Sequence, residues 1–187
     1  MKTNRRIHPA WIAAIVTFFT LVATAGFRSA PSVLIIPLQD AFGWHRDQIS
    51  LAIAINVLLY GLTAPFAAAL MERFTVRKVV MGALITVSTG AFLTTLIQAP
   101  WQLIATWGVI VGVGTGSMAL VFAATVANRW FVKRRGLVVG GLTAAAAMGQ
   151  LIFLPGLTHL SGMYGWKSIG LTIGAAALLM VPMIYVF

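Results

Sequence analysis

Charged residues fall along this chain in short clusters separated by long apolar runs. Six runs stand out, at about 9–42, 49–71, 79–97, 101–127, 137–160 and 168–187. A helix needs about 20 apolar residues to cross the hydrocarbon core of a bilayer, and these runs have that length. Only helices and closed barrels satisfy every backbone N–H and C=O in hydrocarbon, and no run shows the alternation of a barrel strand. The pattern predicts an all-α membrane protein with six transmembrane helices. The third and fourth are divided only by Gln98-Ala99-Pro100, a tight helical hairpin. The first run has a second reading as a secretory signal peptide, with Lys2, Arg5 and Arg6 ahead of it and Ala23-Thr24-Ala25 as a cleavage site. Its apolar character continues to Phe42, too far for a signal core, and five more runs follow.

Composition narrows the class. Of 187 residues, 60% are hydrophobic and 9% charged, against about 25% charged in a soluble domain. That argues against a soluble enzyme domain and against a disordered chain. Zero cysteines remove disulfides and Cys-ligated metal. A formal charge of +10 suggests nucleic acid in a soluble protein, but here the cations mark the ends of apolar runs, so no nucleic-acid partner is expected. Ten of the thirteen basic residues fall on one side of the predicted topology: Lys2, Arg5, Arg6; Arg73, Arg77, Lys78; and Arg129, Lys133, Arg134, Arg135. Arg46 and Lys167 fall on the other side and Arg28 lies within the first span. Lys and Arg favour the cytoplasmic side, which predicts a multi-pass inner (cell) membrane protein with a cytoplasmic N-terminus.

Six spans can hide two groups of three. A shift of 88 residues pairs Gly26 with Gly114, Ser29 with Ser117, Val33 with Val121, Asp40 with Asn128 and Arg46 with Arg134. Three spans per unit is odd, so the second unit is inverted in the membrane, an arrangement typical of secondary transporters.

Three segments carry a family resemblance. The loop Glu72-Arg73-Phe74-Thr75-Val76-Arg77-Lys78 looks like the loop-2/3 motif Gly-x-x-x-Asp-Arg-x-Gly-Arg-Arg/Lys of the major facilitator superfamily, with Ala68, Glu72, Thr75 and Val76 departing from it. Pro37–Trp44 and Asn128–Gly136 look like the end of span one and the loop-4/5 region in the monocarboxylate and oxalate/formate antiporter-like branch. Trp107 occupies about the place where the family's fourth helix often carries an Arg. The resemblance covers all 187 residues and implies the amino-terminal six-helix half of a twelve-helix transporter, with substrate bound between the halves. It reads the chain as a fragment with the carboxy-terminal half absent, which would complete a secondary active transporter for a small organic anion such as a monocarboxylate. The alternatives are a half-transporter that works only with a second copy, or a non-transporting membrane partner or scaffold.

Arg28 is the sharpest single feature. It lies 14 residues before Phe42, about 21 Å below the outer end of the span. A charge at that depth needs a partner or a wet cavity. Thr17, Thr20, Thr24, Arg28 and Ser32 form one polar stripe, which predicts a face turned to other helices or a cavity. Asn56 and Tyr60, four residues apart in the second span, reach depths of about 12 and 18 Å. Thr115 and Gln150 lie at similar depth in the fourth and fifth spans. The expected substrate site is therefore Arg28, Asn56, Tyr60, Thr115 and Gln150, with the guanidinium gripping a carboxylate through paired N–H···O bonds. The other reading of Arg28 is structural, with its N–H groups on carbonyls loosened around Pro31. Glu72, Arg73, Arg77 and Lys78 are the expected cytoplasmic loop motif, topology determinants first.

Gly108, Gly112 and Gly116, like Gly141, Ala145 and Gly149, recur every four residues, as helices in close contact require. Gly112–Gly116 resembles a phosphate loop only superficially, since no Lys follows and the span is apolar. His8, His45 and His159 share no ligand spacing, so no metal is expected, nor any cofactor. No Ser/His pair or paired Asp lies at membrane depth, so enzymatic chemistry is not expected.

Overall fold

Two glycines decide where helices stop at one end of the bundle. The computed structural model describes residues 9–118 and 135–186, with side chains for 15–118 and 136–185. Helix α1 spans Pro9–Phe42 and gives way at Gly43, whose φ of 67° is left-handed and whose N–H donates to the Gln39 carbonyl at 2.8 Å. Helix α5, Arg135–Tyr164, stops in the same way at Gly165, with φ 77° and a 2.9 Å bond to the Ser161 carbonyl. Between them lie α2 (Arg46–Arg73), α3 (Val76–Thr94) and α4 (100–116). Helix α6, Lys167–Val186, is the last among the described residues. No strand occurs among the described residues. Among the described residues, five helices, α1, α2, α3, α5 and α6, are long and apolar enough to cross a membrane.

Helix α2 starts and ends outside the apolar run 49–71, because its polar ends continue the helix: the His45 N–H donates to Gln48 Oε1 at 3.2 Å. Helix α3 begins earlier than expected because Thr75, in extended backbone, accepts the Lys78 N–H on its hydroxyl at 3.4 Å. It stops at Thr94, short of 97, and Gln102 Oε1 takes the N–H groups of Gln98 (2.6 Å) and Ala99 (3.1 Å) across the hairpin. Helix α4 is not a uniform α-helix. It is α-helical over Pro100–Leu103 and Gly112–Gly116, and π-helical over Ile104–Val111.

Helix α1 packs on α5 and α6, α3 on α6 and α4, and α2 on α4. Exchanging the triplets α1–α3 and α4–α6 turns the α1–α5 contact into α4–α2 and the α3–α4 contact into α6–α1, and leaves α3–α6 unchanged. The packing thus has the symmetry of two three-helix repeats, inverted because each has an odd number of passes. At residue level the repeat is looser. Ser29 and Ser117 both bond back to the carbonyl four residues earlier, Ala25 and Val113. Gly26 and Gly114, however, meet different partners, Phe153 of α5 and Val87 of α3. Val121, Asn128 and Arg134 lie outside the described residues.

Water cannot satisfy polar groups in hydrocarbon, so buried hydroxyls turn back on the backbone. Thr20 donates to the Val16 carbonyl (2.8 Å) and Thr24 to Leu21 (3.0 Å), while Ser88 reaches across from α3 to Gly174 of α6 at 2.9 Å. Conversely, Leu58, Leu62 and Phe66 of α2 and Leu151 and Ile152 of α5 are exposed, as a bilayer-facing surface permits.

Three glycines let α4 lie close against α2. A Cβ at Gly108 would lie 3.1 Å from the Ala52 carbonyl oxygen, one at Gly112 3.1 Å from Asn56 Cα, and one at Gly116 2.8 Å from the Tyr60 carbonyl oxygen. The second glycine series divides: Gly149 abuts the Val22 carbonyl and Ala145 is buried, but Gly141 has nothing within 4 Å. Replacing Gly112 with Val is expected to destabilise the bundle by about 2–3 kcal/mol, lowering its thermal midpoint in detergent. The same substitution at Gly140, which faces open space, should leave the midpoint unchanged.

Candidate functional site

Helices α1 and α2 leave each other early, because α1 follows α5 while α2 follows α4. A cleft of about 310 Å³ opens between them, with Gln150 of α5 at its edge. Its α2 wall is one helical face, Ile53, Asn56, Val57 and Tyr60. Its α1 wall carries Arg28 and Ser32 beside Pro31 and Ile35. Five of the nine lining residues are polar, though most of the lining surface is apolar. The chain has three carboxylates, Asp40, Asp47 and Glu72, and none of them lines the cleft.

Arg28 is exposed to the cleft and its Cζ lies 4.9 Å from the centre of the Tyr60 ring. The ring's negative face partly offsets the charge at that depth. A guanidinium carries several N–H donors, more than one ring contact can engage. Among the described residues, this ring, and not a carbonyl near Pro31, is its partner. The polar stripe of α1 divides along its length: Thr17, Thr20 and Thr24 are buried among helices, whereas Arg28 and Ser32 face the cleft.

Asn56 joins the cleft to the unusual part of α4. Its Nδ2 donates to the Trp107 carbonyl at 2.7 Å, in the middle of the π-helical stretch. Gly112 makes room for it, since a Cβ there would lie 3.3 Å from that Nδ2. With Nδ2 committed, the amide keeps Oδ1 as an acceptor. Trp107 is 1% exposed and its Nε1 has no partner among the described residues.

The structure brings Arg28, Asn56, Tyr60 and Gln150 to one cleft and leaves Thr115 out. Thr115 is buried and its hydroxyl donates to its own helix, to the carbonyls of Val111 (2.9 Å) and Gly112 (3.2 Å). The loop residues sit apart from the cleft. Glu72, Arg73, Arg77 and Lys78 are exposed at the α2–α3 turn. The segment Asn128–Gly136 lies, up to Arg134, outside the described residues, as do Lys2, Arg5, Arg6 and His8.

Two features escaped the sequence reading. One is the Asn56–Trp107 link, for which the only signal was Asn56 itself. The other is an aromatic clasp at the end of the bundle where α1 and α5 stop: Phe42 stacks on Trp44 (4.6 Å, 17°) and lies 5.4 Å from Trp166. Its signal was the repeated pattern Phe42-Gly43-Trp44 and Tyr164-Gly165-Trp166.

Residues 14–187 match the Major Facilitator Superfamily. Monocarboxylate transporter 7 of Homo sapiens is 29% identical over 157 residues, covering 84% of this chain and 30% of that protein. Monocarboxylate transporter 9 of Mus musculus is 29% identical over 174 residues, covering 90% and 33%. An uncharacterised MFS-type transporter of Bacillus subtilis, YcxA, is 26% identical over 168 residues, covering 90% and 41%. The chain thus spans between 30% and 41% of the length of these relatives.

Asn56→Leu leaves the Trp107 carbonyl without its side-chain donor, at a cost of about 1 kcal/mol. Amide hydrogen exchange across 104–112 should accelerate about fivefold, while exchange in α3 and α6 stays at its wild-type rate.

Proposed function

Because the chain belongs to the Major Facilitator Superfamily, we propose that its six helices form one wall of a secondary transporter for a small organic anion, with Arg28 as the carboxylate-binding group. The observation that carries this reading is Arg28 over the Tyr60 ring in a cleft that no carboxylate lines. With no acid to neutralise it, the guanidinium is completed by an anion from outside the protein. The Asn56 Oδ1 and Gln150 amide supply hydrogen bonds to the rest of the solute, and Ile35, Ile53 and Val57 accept a short apolar body. The monocarboxylate names of two relatives support the carboxylate class. The cleft is open on one side, so alternating access needs an opposing wall, from a carboxy-terminal six-helix bundle or a second copy. We place the N-terminus in the cytoplasm, from the distribution of Lys and Arg.

The test is uptake of a labelled monocarboxylate by the complete transporter in proteoliposomes. Arg28→Gln is expected to raise KM by about tenfold or more, equivalent to about 1.4 kcal/mol. Arg28→Lys should fall between, since an ammonium keeps the charge but loses the paired donors. Unchanged KM and maximal rate in Arg28→Gln would remove Arg28 from the site.

A further inference from the structure

At the end of the bundle away from the aromatic clasp, three cations lie within six residues. Arg73, Arg77 and Lys78 are all exposed, and Glu72 is the one carboxylate of that segment. They are also organised. Arg77 Cζ lies 4.9 Å from the centre of the Tyr185 ring, so the start of α3 meets the end of α6. Arg73 Cζ lies 5.7 Å from the Phe74 ring. Phe74 is 53% exposed and Tyr185 64% exposed, at the level where apolar helices leave hydrocarbon. Rings in that position set their apolar bodies against acyl chains and their rims among headgroups.

The arrangement does more than a charge count for topology requires. A guanidinium held beside an aromatic ring retains N–H donors for an oxyanion, and its fork of donors matches a phosphate. Lys78, next along the chain, adds a point charge. The first turn of α3 contains no acid to offset these cations. A phosphodiester bearing acyl chains satisfies both halves of the surface, the cations through its headgroup and the rings through its glycerol and chains.

We propose that Arg73, Arg77 and Lys78, with Tyr185 as platform, form a headgroup site for an anionic phospholipid that ties the start of α3 to the end of α6. The site is separate from the Arg28 cleft and holds for either orientation in the membrane.

The experiment uses the complete polypeptide in nanodiscs of phosphatidylcholine alone and of phosphatidylcholine with about 25% phosphatidylglycerol. Retained lipid is read by native mass spectrometry and stability by thermal midpoint. Phosphatidylglycerol is expected to be retained and to raise the midpoint saturably. Replacing Arg77 and Lys78 by Gln should cut retention about fivefold for each cation removed. Because that change also alters topology signals, Tyr185→Leu is the second variant. It keeps every charge and should also weaken retention, whereas Tyr185→Phe, which preserves the ring, should not. Retention unchanged in both the Gln pair and Tyr185→Leu overturns the proposal. So does full stabilisation by inorganic phosphate in pure phosphatidylcholine, which would make the cluster a site for a free anion.

Discussion

Helix α4 reaches α2 only because Gly108, Gly112 and Gly116 carry no side chain where Ala52, Asn56 and Tyr60 pass. In hydrocarbon, apolar surface is no reason for two helices to meet, so dispersion contacts and hydrogen bonds must hold them, and both need short distances. Both helices advance four residues per contact. Over Ile104–Val111, α4 is π-helical, with more residues in each turn than an α-helix. This winding alters the pairing of backbone groups, and Asn56 from α2 supplies a donor to the Trp107 carbonyl. The same seam fixes the backbone of Tyr60, whose ring is the platform for Arg28.

The cleft follows from this choice of partners. Because α2 follows α4 and α1 follows α5, the two walls diverge, and the polar stripe of α1 changes role along its length. Where α1 is enclosed, Thr17, Thr20 and Thr24 are buried. Where it separates from α2, Arg28 and Ser32 face the gap. An aromatic ring moderates the charge of Arg28 without cancelling it, which a carboxylate would do. The cleft therefore keeps a positive charge at a depth where an uncompensated cation is costly.

The spans were legible because bilayer thickness sets a length that composition reveals. Their ends were not, because polar caps such as His45 with Gln48 and Thr75 with Lys78 extend helices beyond their apolar cores. The glycine seam on α4 was visible as a spacing of four, and counting rise grouped Arg28, Asn56, Tyr60 and Gln150, which line one cleft. Thr115 shows the limit of that count. Depth is one coordinate and azimuth the other, and the π-helical stretch rotates every residue after Val111 away from where α-helical winding would place it. Nothing in Ile104–Val111 announces that stretch, since it contains no proline and reads as an ordinary apolar run.

The inverted repeat explains why the cleft has a single cation. The shift of 88 that pairs Gly26 with Gly114 and Ser29 with Ser117 carries Arg28 onto Gly116. Both positions meet Tyr60, from different helices. Arg28 lies against its ring, while Gly116 lies so near its backbone that a Cβ would come within 2.8 Å of the carbonyl oxygen. A large side chain at 116 would push α4 off α2, and a glycine at 28 would leave the cleft uncharged. The two repeats thus differ at one equivalent position, with a packing residue in one and a cleft-lining cation in the other. Tyr60 can serve both because its backbone faces α4 while its ring faces α1.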